Sequence, residues 1–192
     1  MITKYSKWNI KAIILVVLVG IIVGFIYEFG VDNLYNLGKI LLLPTGFAPV
    51  ADALFTGLWL IAAPLAVYFV PLPGAGIIGE FLASVVEMLL GGQWGAMTIF
   101  SGLIQGATNE IGFFSKKSRY QRFTWKSVLI GAACAGVSSF IRRYIIYGLG
   151  YYQWQLQIML LIIDILSALL FDGVLVKLIT NLFDRALQPR IE

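Results

Sequence analysis

The residues able to do chemistry in this chain are carboxylates and amides set inside strongly apolar runs. Glu80 and Glu87 lie seven positions apart, on one face of a helix and about 10 Å apart along its axis. Gln105 and Asn109 form an i,i+4 pair, with Glu110 beside them. Asp164 and Asp172 fall in the last apolar run, and Arg142 and Arg143 are the cations set against these acids. An ionisable group at the centre of a bilayer costs about 2.5–3.5 kcal/mol on insertion scales, so such groups face a bundle interior. The pattern suits ligand binding better than bond-making. The chain has no histidine, and so lacks the commonest general base and the commonest ligand of zinc, copper or haem iron. No metal site and no cofactor are expected. Asp164 and Asp172 are about 80° apart in angle and 12 Å apart in height on one helix, which rules out a shared-proton dyad.

Depth sorts the polar groups into two layers. Glu87, Gln105 and Asp164, with Arg142, belong to an outward chamber. Glu80 and Glu110 belong to a deeper floor. Phe55, Trp59 and Trp94 stand around the upper layer. Acidic groups within flat aromatic walls suit a small, ring-containing, neutral or cationic ligand. Simpler roles compete for other residues. Trp154, Tyr151 and Tyr152 sit where an interfacial belt places aromatics. Asp172 and Lys177 read as a structural pair. Arg142 and Arg143 read as snorkelling to the outer surface.

The elements that must position these residues follow from composition. Hydrophobic residues make up 59% of the 192 residues and charged ones 12%, against about 25% charged in soluble domains. The apolar blocks of about 18–25 residues suit a hydrocarbon core of about 30 Å. The expectation is an all-α integral membrane protein: one six-helix bundle over residues 1–192, with no linker. The helices run from about Trp8 to Phe29, Val50 to Val70, Ala75 to Leu90, Ala96 to Phe114, Thr124 to Tyr147 and Gln155 to Phe183. A looser segment from Gly30 to Pro49 lies along the membrane surface or caps a pocket. The first helix is read as retained rather than as a signal peptide. Lys4, Lys7 and Lys11, the loop with Lys116, Lys117, Arg119 and Arg122, and the tail with Arg185 and Arg190 put both termini in the cytoplasm. The net charge of +4 follows from these helix ends, so no nucleic-acid partner is expected. Cys134 is the sole cysteine, which excludes an intrachain disulfide.

The stretch Gly74-Ala75-Gly76, Gly79-Glu80, Ala83-Ser84, Val86-Glu87 and Leu90-Gly91-Gly92, followed by Gly102, Gln105-Gly106, Glu110 and Phe113, resembles the S components of energy-coupling-factor (ECF) transporters. The YkoE type, linked to thiamine and its hydroxymethylpyrimidine precursor, is the branch it resembles. The resemblance implies a vitamin-capture subunit of a bacterial cytoplasmic membrane, multi-pass and without enzymatic activity. It implies a transmembrane coupling protein and two ABC ATPases as partners. It also implies a small-residue docking motif on the first helix, for which Gly20 and Gly24 are the equivalents. The substrate-binding set is then Phe55, Trp59, Glu80, Glu87, Trp94, Gln105, Asn109, Glu110 and Asp164. The competing reading is an ion-coupled secondary transporter of a small cationic or heteroaromatic solute. The absence of an inverted repeat argues against it.

Overall fold

The computed structural model describes residues 7–113 and 123–187. Lys4, Phe114, Lys116, Lys117, Arg119, Arg122 and Arg190, used above for orientation and helix bounds, lie outside them. Every element among the described residues is helical. Helix α1 (Ile10–Ile26) opens on Asn9, whose side chain accepts the Ala12 N–H at 2.9 Å, a standard way to satisfy a free first-turn donor. The chain then passes through a widened π-helical turn, Tyr27–Val31, into α2 (Asp32–Leu42). The expected loose segment is therefore helical through Leu42: Gly30 falls in the widened turn, and Asp32 and Asn33 open α2 without ending the helix. The continuous run Ile10–Thr45 has 36 residues, or about 54 Å at 1.5 Å per residue. That exceeds the hydrocarbon thickness, and α2 packs across α3 instead.

Helices α3 (Ala48–Phe55) and α4 (Ala62–Phe69) are joined by a tighter 3-10 segment, Thr56–Leu60. Pro71 and Pro73 end this run. Gly74, with φ of 86°, turns the chain into α5 (Ala75–Leu89), a conformation that glycine adopts without a Cβ clash. Helix α6 (Met97–Glu110) returns against α5. Thr124 caps α7 (Trp125–Ile146) by accepting the Ser127 N–H at 3.2 Å. Helix α8 (Trp154–Ser167) passes through a second π-helical stretch, Ala168–Leu175, into α9 (Val176–Ala186).

Among the described residues, four runs are long and apolar enough to cross a membrane: Ile10–Thr45, Ala48–Phe69, Trp125–Ile146 and Trp154–Ala186. Their outward faces are apolar, as at Ile10, Ile14, Ile22 and Phe29 on the first run. Helices α5 and α6 are shorter, at 15 and 14 residues, and form the polar centre. Their backbones come close at Gly102, where an added Cβ would lie 2.9 Å from the Glu80 carbonyl oxygen.

Helix α1 packs on α5 in the same way, and this corrects the docking assignment. A Cβ on Gly20 would lie 2.6 Å from Leu82 Cβ, and one on Gly24 would lie 2.6 Å from Val86 Cβ and 2.7 Å from the Ala83 carbonyl oxygen. Both glycines are buried. The small-residue face of α1 at Gly20 and Gly24 is occupied by α5 of the same chain.

Candidate ligand chamber

A cavity of about 170 Å³ opens among the ends of α2, α3, α5, α6 and α7. Each wall follows from helical spacing. On α5, Ser84 and Glu87 are three apart. On α6, Thr98, Ser101 and Gln105 repeat at i, i+3 and i+7, which places them on one face. On α2, Tyr35 and Lys39 are four apart. On α7, Arg142 and Arg143 supply the basic side.

The upper wall is aromatic. Tyr35 meets Trp59 at 5.2 Å between ring centroids and Trp94 at 5.5 Å, and the two tryptophans meet edge to face at 6.1 Å and 90°. Trp94 also approaches Tyr147 at 6.4 Å. Trp59 lies in the 3-10 segment with non-helical angles, φ −87° and ψ 17°, in the sparsely occupied bridge region. Its indole N–H donates to Asp32 Oδ1 at 3.0 Å. The π turn before Asp32 and the 3-10 turn around Trp59 thus aim one ring.

The polar wall is only partly satisfied from within. Gln105 donates to Ser139 Oγ at 3.2 Å, and Asp52 accepts the Tyr35 hydroxyl at 2.6 Å. Glu87 Oε1, Thr98 Oγ1, Arg142 Nε and Arg143 Nε are buried without a hydrogen-bond partner. Glu87 is 2% exposed. Buried polar atoms normally find partners, and four of the seven unpartnered ones among the described residues belong to side chains that line this cavity. Glu87 and Gln105 both line the cavity and do not bond each other.

Asp164 is fully buried behind this wall. It forms an ion pair with Arg143 and accepts the Thr56 hydroxyl at 2.7 Å. It acts on the chamber through Arg143. Phe55 likewise stands one layer back, edge-on to Tyr35 at 6.1 Å and against Gly38.

The structure corrects three of the expected binding residues. Glu80 accepts the Tyr27 hydroxyl at 2.9 Å and the Ala63 N–H at 2.8 Å. Its carboxylate satisfies the start of α4. Glu110 accepts N–H groups of Gly76 at 2.6 Å, Gly74 at 3.1 Å and Ile77 at 3.3 Å. A carboxylate there neutralises the free donors and the positive dipole end of α5. Asn109 donates to Asp172 Oδ2 at 2.6 Å. All three bond neighbouring helices and do not line the chamber, although Asn109 Oδ1 is left without a partner. Asp172 is therefore partnered by Asn109 rather than Lys177, which donates to the Phe123 carbonyl oxygen at 2.7 Å. Arg143 points inward, 8% exposed, against the expectation of snorkelling. Trp59, Glu87, Trp94 and Gln105 do line the chamber. Tyr35, Lys39, Asp52 and Tyr147 line it too and were not anticipated. The i,i+4 spacing of Tyr35 and Lys39 was the available signal.

The family model described as "ABC-type cobalt transport system, permease component" matches residues 11–138. The chain belongs to this family. The putative HMP/thiamine permease protein YkoE of Bacillus subtilis (strain 168) is 27% identical over 176 residues, covering 92% of this chain and 84% of the relative. A crystal structure of an S-component of an ECF transporter superposes with a TM-score of 0.82 at 26% identity, covering 94% of this chain and 87% of that one. Together these likenesses make the chain an S component of the YkoE type. It is a substrate-binding, multi-pass protein of the plasma membrane, from a family of transport proteins that are not enzymes. Among the described residues of this S component, no three His, Cys, Asp or Glu side chains gather to hold a metal ion.

Proposed function

We propose that this S component captures thiamine or its hydroxymethylpyrimidine precursor from outside the cell, in the chamber lined by Trp59, Glu87, Trp94 and Gln105. The observation that carries the reading is the pairing of an aromatic-walled cavity with an unpartnered carboxylate oxygen on Glu87. An aminopyrimidine edge offers the donors that Glu87 lacks. Its flat face suits the space bounded by Tyr35, Trp59 and Trp94. Size favours the precursor, because an apolar cavity of about 150 Å³ holds one benzene ring and this one is about 170 Å³. Thiamine, with two rings, extends past Lys39 at the exposed mouth.

The same proposal includes six membrane spans with both termini in the cytoplasm, α5 and α6 being the two short spans. Trp94, in the turn between them, then sits at the outer side, where a captured ligand enters. Delivery runs through a transmembrane coupling protein driven by two ABC ATPases. The test is titration of purified protein with hydroxymethylpyrimidine and with thiamine, read by intrinsic fluorescence, since two tryptophans line the chamber. Saturable quenching that is lost in Glu87→Gln together with Gln105→Ala supports the site. Unchanged affinity in that double variant places the ligand elsewhere. Uptake that depends on a proton gradient in liposomes holding this chain alone would overturn the ATPase-driven reading.

A further inference from the structure

Away from the chamber, Glu80 and Asp172 are both 0% exposed and stand close enough for their charges to interact. Each widened turn contributes to this group: Tyr27 opens the first and Asp172 lies in the second. Turns of this kind are frequent at functional sites. The two acids are held differently. Glu80 accepts the Tyr27 hydroxyl and the Ala63 N–H, and the Tyr27 oxygen accepts the Ala62 N–H at 3.0 Å. These N–H groups are first-turn donors of α4, where the helix dipole favours a negative charge, so Glu80 is built to stay ionised. Asp172 has one donor, the Asn109 amide at 2.6 Å from Oδ2. Its Oδ1 has no partner, and neither has Oδ1 of Asn109, which is 1% exposed.

Among the described residues no base offsets Asp172. The stretch Ala168–Leu175 packs on α7, on the 3-10 segment Thr56–Leu60, and on α8 and α9. The part of α7 it meets, residues 129–136, carries Cys134 as its one titratable side chain, and the 3-10 segment carries none. On α8, Asp164 is paired with Arg143. On α9, Lys177 donates to the Phe123 carbonyl oxygen and lies over the Phe123 ring at 4.9 Å. On α6, Glu110 is bonded to first-turn N–H groups of α5. Tyr27 and Glu80 remain, one neutral and one negative. An isolated ionised carboxylate is costly in a dry interior and takes a proton instead. We propose that Asp172 is a buried proton-binding site, holding one proton on its carboxyl while Glu80 keeps its charge. The step forms one O–H bond and breaks none. The site is separate from the ligand chamber and stands whether or not the capture reading does. Loss of the proton would set a second negative charge beside Glu80, at the seam where Asn109 of α6 meets the last run.

The experiment is infrared spectroscopy of the purified chain in detergent, read at the carbonyl band of a protonated acid. At neutral pH the wild type should show a component that Asp172→Asn removes and Glu80→Gln leaves in place. Asn109→Ala should shift that component, because the Asn109 amide bonds the carboxyl. Denaturation at a series of pH values reads the same proton by linkage. Above about pH 5 an unfolded aspartate is ionised, while folded Asp172 keeps its proton. The unfolded state then binds fewer protons, so this contribution to stability falls as pH rises. The folding equilibrium of the wild type, relative to Asp172→Asn, should drop about tenfold per pH unit until the infrared component disappears. If Asp172→Asn does not fold, the shift in Asn109→Ala decides. A wild type without the band, or a band unmoved by either substitution, overturns the proposal. Equal pH slopes for the wild type and Asp172→Asn also overturn it. So does a stabilisation by sodium over potassium, at fixed pH and ionic strength, that Asp172→Asn abolishes, since the site would then hold a metal ion.

Discussion

Removal of the Asp164 carboxylate tests how the basic wall is held. Asp164 is 0% exposed and Arg143 is 8% exposed, and the two form the buried ion pair between α7 and α8. Breaking a buried pair from one side costs about 3–5 kcal/mol, because the partner charge stays buried without compensation. Thr56 adds little to this loss. Its single hydroxyl hydrogen is within reach of both Asp164 Oδ1 and the Asp52 carbonyl oxygen, each at 2.7 Å, so the second acceptor remains when the first is removed. Asp164→Ala is therefore expected to lower stability by about 3–5 kcal/mol. For a chain of this size that is a fall of about 6–20 °C in Tm, measured by thermal unfolding in detergent. Arg143→Met in the same background removes the stranded charge and is expected to recover about 2–3 kcal/mol of that loss. A single Asp164→Ala variant within about 1 kcal/mol of wild type would refute the claim that the pair is a dry, mutually dependent unit. So would a double variant whose losses simply add.

Other expectations follow from close packing and from the division of the carboxylates. Gly57→Ala would place a Cβ 2.2 Å from the Ser167 carbonyl oxygen, whereas at Gly30 the nearest atom would be Ile26 Cγ2 at 3.7 Å. Thermal unfolding should show a loss of about 2 kcal/mol or more for the first and close to none for Gly30→Ala. Gly24→Leu should destabilise the isolated chain, since its partner is α5. A variant that is stable alone and fails only in the assembled transporter would reopen the docking role. Ligand titration separates the acids and rings of the chamber from those behind it. Trp94→Ala should weaken binding by about two- to twelvefold, from an aromatic contact of about 0.5–1.5 kcal/mol. Glu80→Gln should leave affinity unchanged, since Glu80 bonds Tyr27 and Ala63.

Much of the fold was legible because hydrocarbon punishes polarity so severely. The apolar runs and the inward facing of Glu87 and Gln105 follow from that alone, and the turn at Pro71 to Gly74 follows from the prolines and glycine that break a helix. Partner choice was less legible. Glu80, Glu87 and Glu110 look alike in the chain, yet only Glu87 reaches the chamber. The other two meet backbone N–H groups of neighbouring helices. Which N–H groups lie opposite a side chain depends on how helices are rotated against each other, and spacing along one helix does not carry that. Gly20 and Gly24 show the same limit. Small residues declare a close approach without declaring which surface approaches, and here it is α5. Arg142 and Arg143 were read by depth, where snorkelling is the default. Asp164, twenty-one positions later, turns Arg143 inward.

The turn at Tyr27–Val31 carries a genetic consequence. A π-helical turn holds one residue more than an α-helical turn of the same span. Each residue advances an α-helix by about 100° and 1.5 Å. Deletion of a single codon within Tyr27–Val31 would leave the length of the run Ile10–Thr45 almost unchanged. It would also leave everything after it close to its original phase, with Asp32 still at the Trp59 indole and Tyr35 still at Asp52, because the turn closes with one residue fewer. The surplus residue works as slack in the reading length. A codon lost within α2 has no such slack, and would rotate the residues after it by about 100° against their partners.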